Sequence, residues 1–191
     1  MGNISGKEEQ LDFLKTYRNL LRIARDMVLP GDKAKIKKYI GDAVAKNGYG
    51  KDVYGFNFLL RTMHTALVVA DEIGLKRSSI LAVLLSPLVM NGSCGIAGIE
   101  KDFGTDTANI IRGLTKSYEL YEKNAAIDNE NFRTLLLSFA EDVRVILIII
   151  AERLYLMRMA NPLKMRIIAY RLRPKHLIYT LRFPINWVYI K

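Results

Sequence analysis

The side chains weighed first for metal, acid–base or thiol chemistry in this 191-residue sequence are His64, His176, Cys94 and two sets of adjacent carboxylates, Asp71 with Glu72 and Glu141 with Asp142. A helical metal pair needs a second ligand about one turn away, and the residue four after His64 is Val68. His64 therefore reads first as a histidine on a helix surface or half-buried beside one. Adjacent carboxylates on a helix point about 100° apart, so the two acidic pairs are solvated or salt-bridged groups rather than a catalytic dyad. A lone cysteine allows no internal disulfide, and a reduced, cytoplasmic setting is the expectation. The sequence has no Walker-type glycine loop, dinucleotide fingerprint, paired-cysteine zinc pattern or nucleophile elbow.

The elements that must position these residues are helices, because apolar residues recur at helical spacing through the first 160 positions. Leu11, Leu14, Tyr17, Leu21, Ala24 and Val28 mark a first amphipathic helix that stops before Pro30 and Gly31. Asp32 caps a second, running to about Lys46. A third spans about 56–73 and ends at Gly74, a left-handed cap. Residues 78–90 form a fourth, apolar nearly all round, which places it at the centre of a bundle. A short helix follows the loop 91–98, and another spans 105–121. The longest opens at Asn129 and Glu130 and ends at about Met159, ahead of Pro162. The expectation is an all-α helical bundle.

Half of the residues are hydrophobic and a quarter are charged, which excludes a disordered or collagen-like chain. The greasiest run, 145–151, is flanked by Arg144 and by Glu152 with Arg153, far short of the roughly 20 residues of a membrane span. The net charge of +10 suggests a nucleic-acid or anionic-surface partner until it is located. Residues 161–191 carry seven basic and no acidic side chains, leaving 22 basic and 19 acidic in residues 1–160. The division expected is a domain at 1–160 and a basic tail at 161–191. This argues against nucleic acid as the domain's partner.

Several segments carry a specific resemblance: Phe103 and Gly104 followed by IIRGLTK at 110–116, LLLSFAEDVRVIL at 135–147 and AERLYLMR at 151–158. Together they resemble the N-terminal hydrolase domain of the RelA/SpoT family, enzymes that make and degrade the alarmone (p)ppGpp. The resemblance covers roughly residues 10–160 and implies an HD-domain helical bundle. In active members a His, a His-Asp dipeptide and a later Asp hold Mn²⁺, which activates water against the 3′ pyrophosphate. A Glu-Asp pair just past the dipeptide assists that water.

Where the family reads LLHDVVED, this chain reads LLSPLVMN at 84–91. Ser86 and Pro87 stand where the dipeptide ligands belong, and Met90 and Asn91 stand where the acid–base pair belongs. The later Asp is Glu152, able to ligate but one methylene longer. Gap-free counting puts the first His ligand at Thr62, with His64 two residues on and about 200° round the helix. On the substrate side, Leu156 and Met159 replace the Asn and Thr of HNMRT, while Arg153 and Arg158 remain as candidate nucleotide contacts.

The resemblance thus implies the synthetase-only branch: a catalytically inactive pseudo-hydrolase domain without metal, regulating the synthetase domain of an intact GTP pyrophosphokinase in the stringent response. Guanine nucleotides remain candidate ligands. The competing reading is a metal-dependent (p)ppGpp 3′-pyrophosphohydrolase, or related phosphohydrolase, with a rearranged site using His64 and Glu152.

In the family this helix is followed by a segment like EASYLYAPLAHRLGLYKIK, but here residues 174–191 read PKHLIYTLRFPINWVYIK. Reading the second across codon boundaries permits EASYLYAP, then Leu or Phe, Ser or Pro, His, Gln or Lys, and LGLYK, which keeps the YAP and HxLGLY elements of the first in order. Trp187 into Val188 must give Gly, and Asn186 into Trp187 must give Leu. The expectation is a change of reading frame between about Pro162 and Pro174, an out-of-frame tail, and hence a chain that stops at 191 without a synthetase. Leu177, Ile178, Leu181, Phe183, Trp187 and Val188 would let such a tail pair two chains as a homodimer.

Overall fold

A computed structural model describes residues 3–45, 58–123 and 142–159. Among them are seven α-helices and no strand: α1 (Asn3–Ile23), α2 (Pro30–Ala45), α3 (Phe58–Leu67), α4 (Arg77–Met90), α5 (Ile96–Phe103), α6 (Thr105–Lys123) and α7 (Val143–Met159). A 3-10 turn at Ala24–Asp26 extends α1, and a π-helical turn at Val68–Glu72 extends α3. The chain is all-α, as its periodicity requires. Among the described residues no helix is long and apolar enough to cross a membrane. The tail at 161–191 lies outside the described residues. Two compact units form, Met1–Ile111 and Arg112–Lys191, divided inside α6.

In the first unit α4 is the axis. Every residue from Ser79 to Leu88 is buried, and Leu81, Leu85 and Leu88 have no exposed surface. A helix apolar on all sides has no solvent face, so α2, α3 and α5 pack around it. α1 in turn packs on α3. The left-handed stop expected at Gly74 is present, with φ +77° and the Leu75 amide donating to the Val69 carbonyl at 3.0 Å.

The second helix starts differently from the sequence reading. Pro30 is not a turn outside α2 but its first residue, where a missing N–H costs nothing and a fixed φ suits the helix. Asp32 caps from within the first turn, accepting the Leu29 amide at 2.9 Å. The same carboxylate is buried against Arg77 at the start of α4. The Arg77 Nε donates to Oδ2 at 2.7 Å and Nη2 to Oδ1 at 2.8 Å, while Nη1 reaches the Phe103 carbonyl at 3.1 Å. One guanidinium thus joins α2, α4 and the end of α5. Lys35 and Tyr39 of α2 both bond to Asp102, and the Tyr39 ring tilts against Phe103 at 5.7 Å.

In the second unit Val145, Ile148, Ile149, Ala151, Tyr155 and Leu156 are the buried positions of α7. Gly113 of α6 lies against it so closely that a Cβ there would stand 2.7 Å from Val145 Cγ2. The long helix expected from Asn129 does not run through Asp142. That residue is a bend whose carboxylate accepts the Arg144 amide at 2.9 Å, and α7 starts after it. An aspartate can satisfy a free helix-terminal N–H, so Asp142 opens α7 at a point where apolar spacing alone reads continuity. Residues 124–141, including Glu141, lie outside the described residues.

Candidate functional site

Each position that the family comparison singled out has an assignable place. Ser86 and Pro87 lie inside α4, both buried. Proline has no N–H, so the Val83 carbonyl one turn back loses its helical donor. The Ser86 hydroxyl lies 3.5 Å from that carbonyl and donates to it, a long bond that partly repairs the ladder. A serine and a proline at these positions therefore answer each other's backbone needs within the helix. Neither presents a carboxylate or an imidazole.

Met90 and Asn91 close the same helix. The Asn91 amide donates to the Pro87 carbonyl at 3.1 Å, its side-chain oxygen accepts the Ser93 amide at 3.0 Å, and Gly92 follows at φ +73°. Met90 is 40% exposed. Where the family places an acid–base pair, this chain has a helix terminus.

On α3, Thr62 is buried and His64 is half-buried. The His64 Nε2 lies 3.2 Å from the Asp12 carboxylate and 3.2 Å from the Thr16 hydroxyl, both on α1. With the proton on Nε2 the ring donates to Asp12, and that nitrogen has no lone pair for a metal. The expectation of a half-buried helical histidine holds, with a carboxylate partner that local spacing did not reveal. Asp12 and Thr16 are four apart on one face of α1, but nothing in the sequence nearby ties that face to a residue 48 positions on.

In the second unit the Glu152 carboxylate accepts a hydrogen bond from the Tyr118 hydroxyl of α6. Glu152 is the carboxylate that the resemblance places at a ligand position, and its Tyr118 partner lies 34 positions away in sequence. Arg153 is half-buried and Arg158 exposed. Five residues apart on α7, they point about 140° from one another and form no two-armed clamp. Asp71 and Glu72, on the π-helical turn, are exposed.

Electrostatics favour the structural pairs instead. Burial alone would raise the Asp32 carboxyl, but the Arg77 hydrogen bonds and charge, with the Leu29 amide, hold it below the usual aspartate range. Burial and the neighbouring Asp102 carboxylate push the Tyr39 phenol up to about 12, so it remains a donor. Among the described residues no three His, Cys, Asp or Glu side chains gather as a metal would need. Mn²⁺ prefers carboxylate, carbonyl, water and imidazole ligands, and two neutral hydroxyls with a proline do not fit it.

Comparison with known proteins gives these positions their context. The HD domain family matches residues 45–170. The chain is 30% identical over 128 residues to the GTP pyrophosphokinase rsh of Brucella ovis, covering 66% of this chain and 17% of that protein. It is 30% identical over 125 residues to the guanosine-3′,5′-bis(diphosphate) 3′-pyrophosphohydrolase of Aquifex aeolicus, covering 65% and 18%. A probable enzyme of the same name from Synechocystis sp. is 34% identical over 93 residues, covering 48% and 12%. The chain thus spans about a sixth of the length of the Brucella ovis and Aquifex aeolicus relatives. With its all-α architecture, the chain belongs to the HD domain family and is an HD domain of the RelA/SpoT type.

Proposed function

We propose that this chain is an HD domain that keeps the helical frame of a (p)ppGpp hydrolase without its metal chemistry, and that it acts as a regulatory module of a cytoplasmic (p)ppGpp synthetase. The observation that carries this reading is the Ser86 and Pro87 pair. The hydroxyl at the dipeptide position faces a carbonyl inside a buried helix, and the residue after it has no ligand atom in its side chain. Three further features support it. Met90 and Asn91 end a helix, His64 is directed at Asp12, and Glu152 accepts from Tyr118. The relatives named above are a pyrophosphokinase and two pyrophosphohydrolases of the same nucleotide family, which supplies the reaction class.

Regulation of a synthetase requires that the domain make different contacts in its active and inactive states. Such a module needs the helical frame and no catalytic centre. On this reading the domain occupies 1–160 and its partner is the synthetase domain of the intact protein.

Metal linkage tests the proposal. A folded-state site at about 100 times its Kd in free metal adds about 2.7 kcal/mol of stability, several degrees in Tm for a domain of this size. The unfolding temperature should stay the same when Mn²⁺ is added to the purified chain. A saturable rise that Glu152→Gln abolishes would show that the centre persists.

A further inference from the structure

The domain's near-neutral total conceals a concentrated positive strip. From Lys15 to Lys38 the sequence has eight basic side chains (Lys15, Arg18, Arg22, Arg25, Lys33, Lys35, Lys37, Lys38) and two acidic ones, Asp26 and Asp32. Asp32 and Lys35 are occupied, by Arg77 and Asp102 respectively. On α1 and the turn after it, Lys15, Arg18, Arg22 and Arg25 follow at steps of three, four and three. Such spacing holds them within about 80° of each other along about 15 Å of helix. All four are exposed, and among the described residues none of the four takes part in an ion pair.

Apolar side chains lie beside that row. Leu11 is 55% exposed, Leu14 44% and Tyr17 39%, and Leu21 continues the edge. The opposite side of α1 is the buried one, with Thr16, Leu20 and Ala24 covered and Asp12 directed at His64 of α3. At 100° per residue Tyr17, Leu21 and Leu14 lie between that buried side and the basic row, so the apolar surface of α1 continues outward to the edge of the cations, where Leu14 and Tyr17 are exposed.

We propose that the outer strip of α1 is a docking surface for an acidic amphipathic helix of a partner protein. The charge pattern carries the choice of occupant. Cations repeating at three and four residues beside a short leucine edge match the flanks and seam of a paired helix, where carboxylates face the basic row and apolar residues meet the leucines. Arginine forks, three of the four cations, suit carboxylates held two-pronged. A lipid surface fits less well: half-exposed side chains on a helix already packed against α3 reach too little of the 5–10 Å depth that interfacial helices occupy. A nucleic acid would neutralise the row but leave the leucines without an apolar contact.

The test uses the full chain and a labelled synthetic helix of about three heptads, with leucine at the seam and glutamate at the flanks, read by fluorescence anisotropy. A lysine-flanked counterpart, phosphatidylserine–phosphatidylcholine vesicles and a single-stranded RNA serve as the other arms. The acidic helix should bind and the lysine helix should not. Affinity should fall at least tenfold in the double variant Arg18→Glu with Arg22→Glu, and also in Leu11→Ser with Leu14→Ser. Circular dichroism melting should show both variants folded, since all four positions are exposed. No binding of the acidic helix, binding indifferent to these variants, or tighter binding of vesicles or RNA would overturn the proposal.

Discussion

At Ser86 a single hydroxyl can be read in two ways, against the metal ligand that the family resemblance implies at this position and against the helix that this chain builds. Its geometry serves the helix. The Val83 carbonyl, left without a donor by Pro87, accepts from Ser86 at 3.5 Å in a buried setting. Removing the hydroxyl should expose the cost of that unsatisfied carbonyl, so Ser86→Ala should destabilise the chain by about 1 kcal/mol, read from the denaturation midpoint. In Pro87→Ala the helix regains its own donor, and Ser86→Ala made in that background should cost much less. Glu152 and His64 follow the same logic. Each chemically capable group is taken up by a protein partner, Tyr118 for one and Asp12 with Thr16 for the other.

At the scale of elements, stability lies in a few close helix junctions. Asp32 and Arg77 tie α2 to α4, and the same guanidinium reaches the end of α5. Because the folded Asp32 carboxyl lies below its ordinary value, the ionised form favours the fold. The stability it supplies is complete above about pH 4, the ordinary aspartate value, and is lost as pH falls through the lower folded value. Asp32→Asn should therefore flatten the acid limb of the stability–pH curve. It should also cost about 3 kcal/mol at neutral pH, the lower end for a broken buried pair, because Arg77 stays a quarter exposed. Between α6 and α7 the junction is steric. Gly113→Ala gains about 1 kcal/mol of helix propensity but drives a methyl against buried Val145, so it should destabilise on balance, and Val145→Ala in the same chain should recover part of the loss. The sequence made the helices legible where local rules decide. The unbroken apolar run of α4 announced its central place, and Gly74 announced a left-handed stop. It did not reveal the Asp32–Arg77 tie or the His64–Asp12 contact, which join residues 45 and 52 positions apart and leave no periodic trace. The start of α7 after Asp142 left no trace for a different reason. Apolar spacing on both sides continues through a cap, so only the side-chain bond to Arg144 marks the break.

For the whole molecule, kinship, fold and charge each answer a different question. The helical frame and the match over residues 45–170 make this an HD domain, while the substitutions at 86, 87, 90 and 91 bear on what chemistry that frame retains. The residue types at 86, 87, 90 and 91, where the resemblance places ligands and an acid–base pair, were legible in the sequence itself. What Ser86, His64 and Glu152 do instead needed coordinates. The net charge of +10 also divides differently from the first accounting. The tail at 161–191 holds seven basic residues, yet the domain has its own positive strip on α1, hidden by acidic residues elsewhere in its total. Turnover tests the loss of metal chemistry most directly. Purified chain given Mn²⁺ and ppGpp should release no pyrophosphate above the protein-free control, and metal-dependent release that Glu152→Gln removes would contradict it.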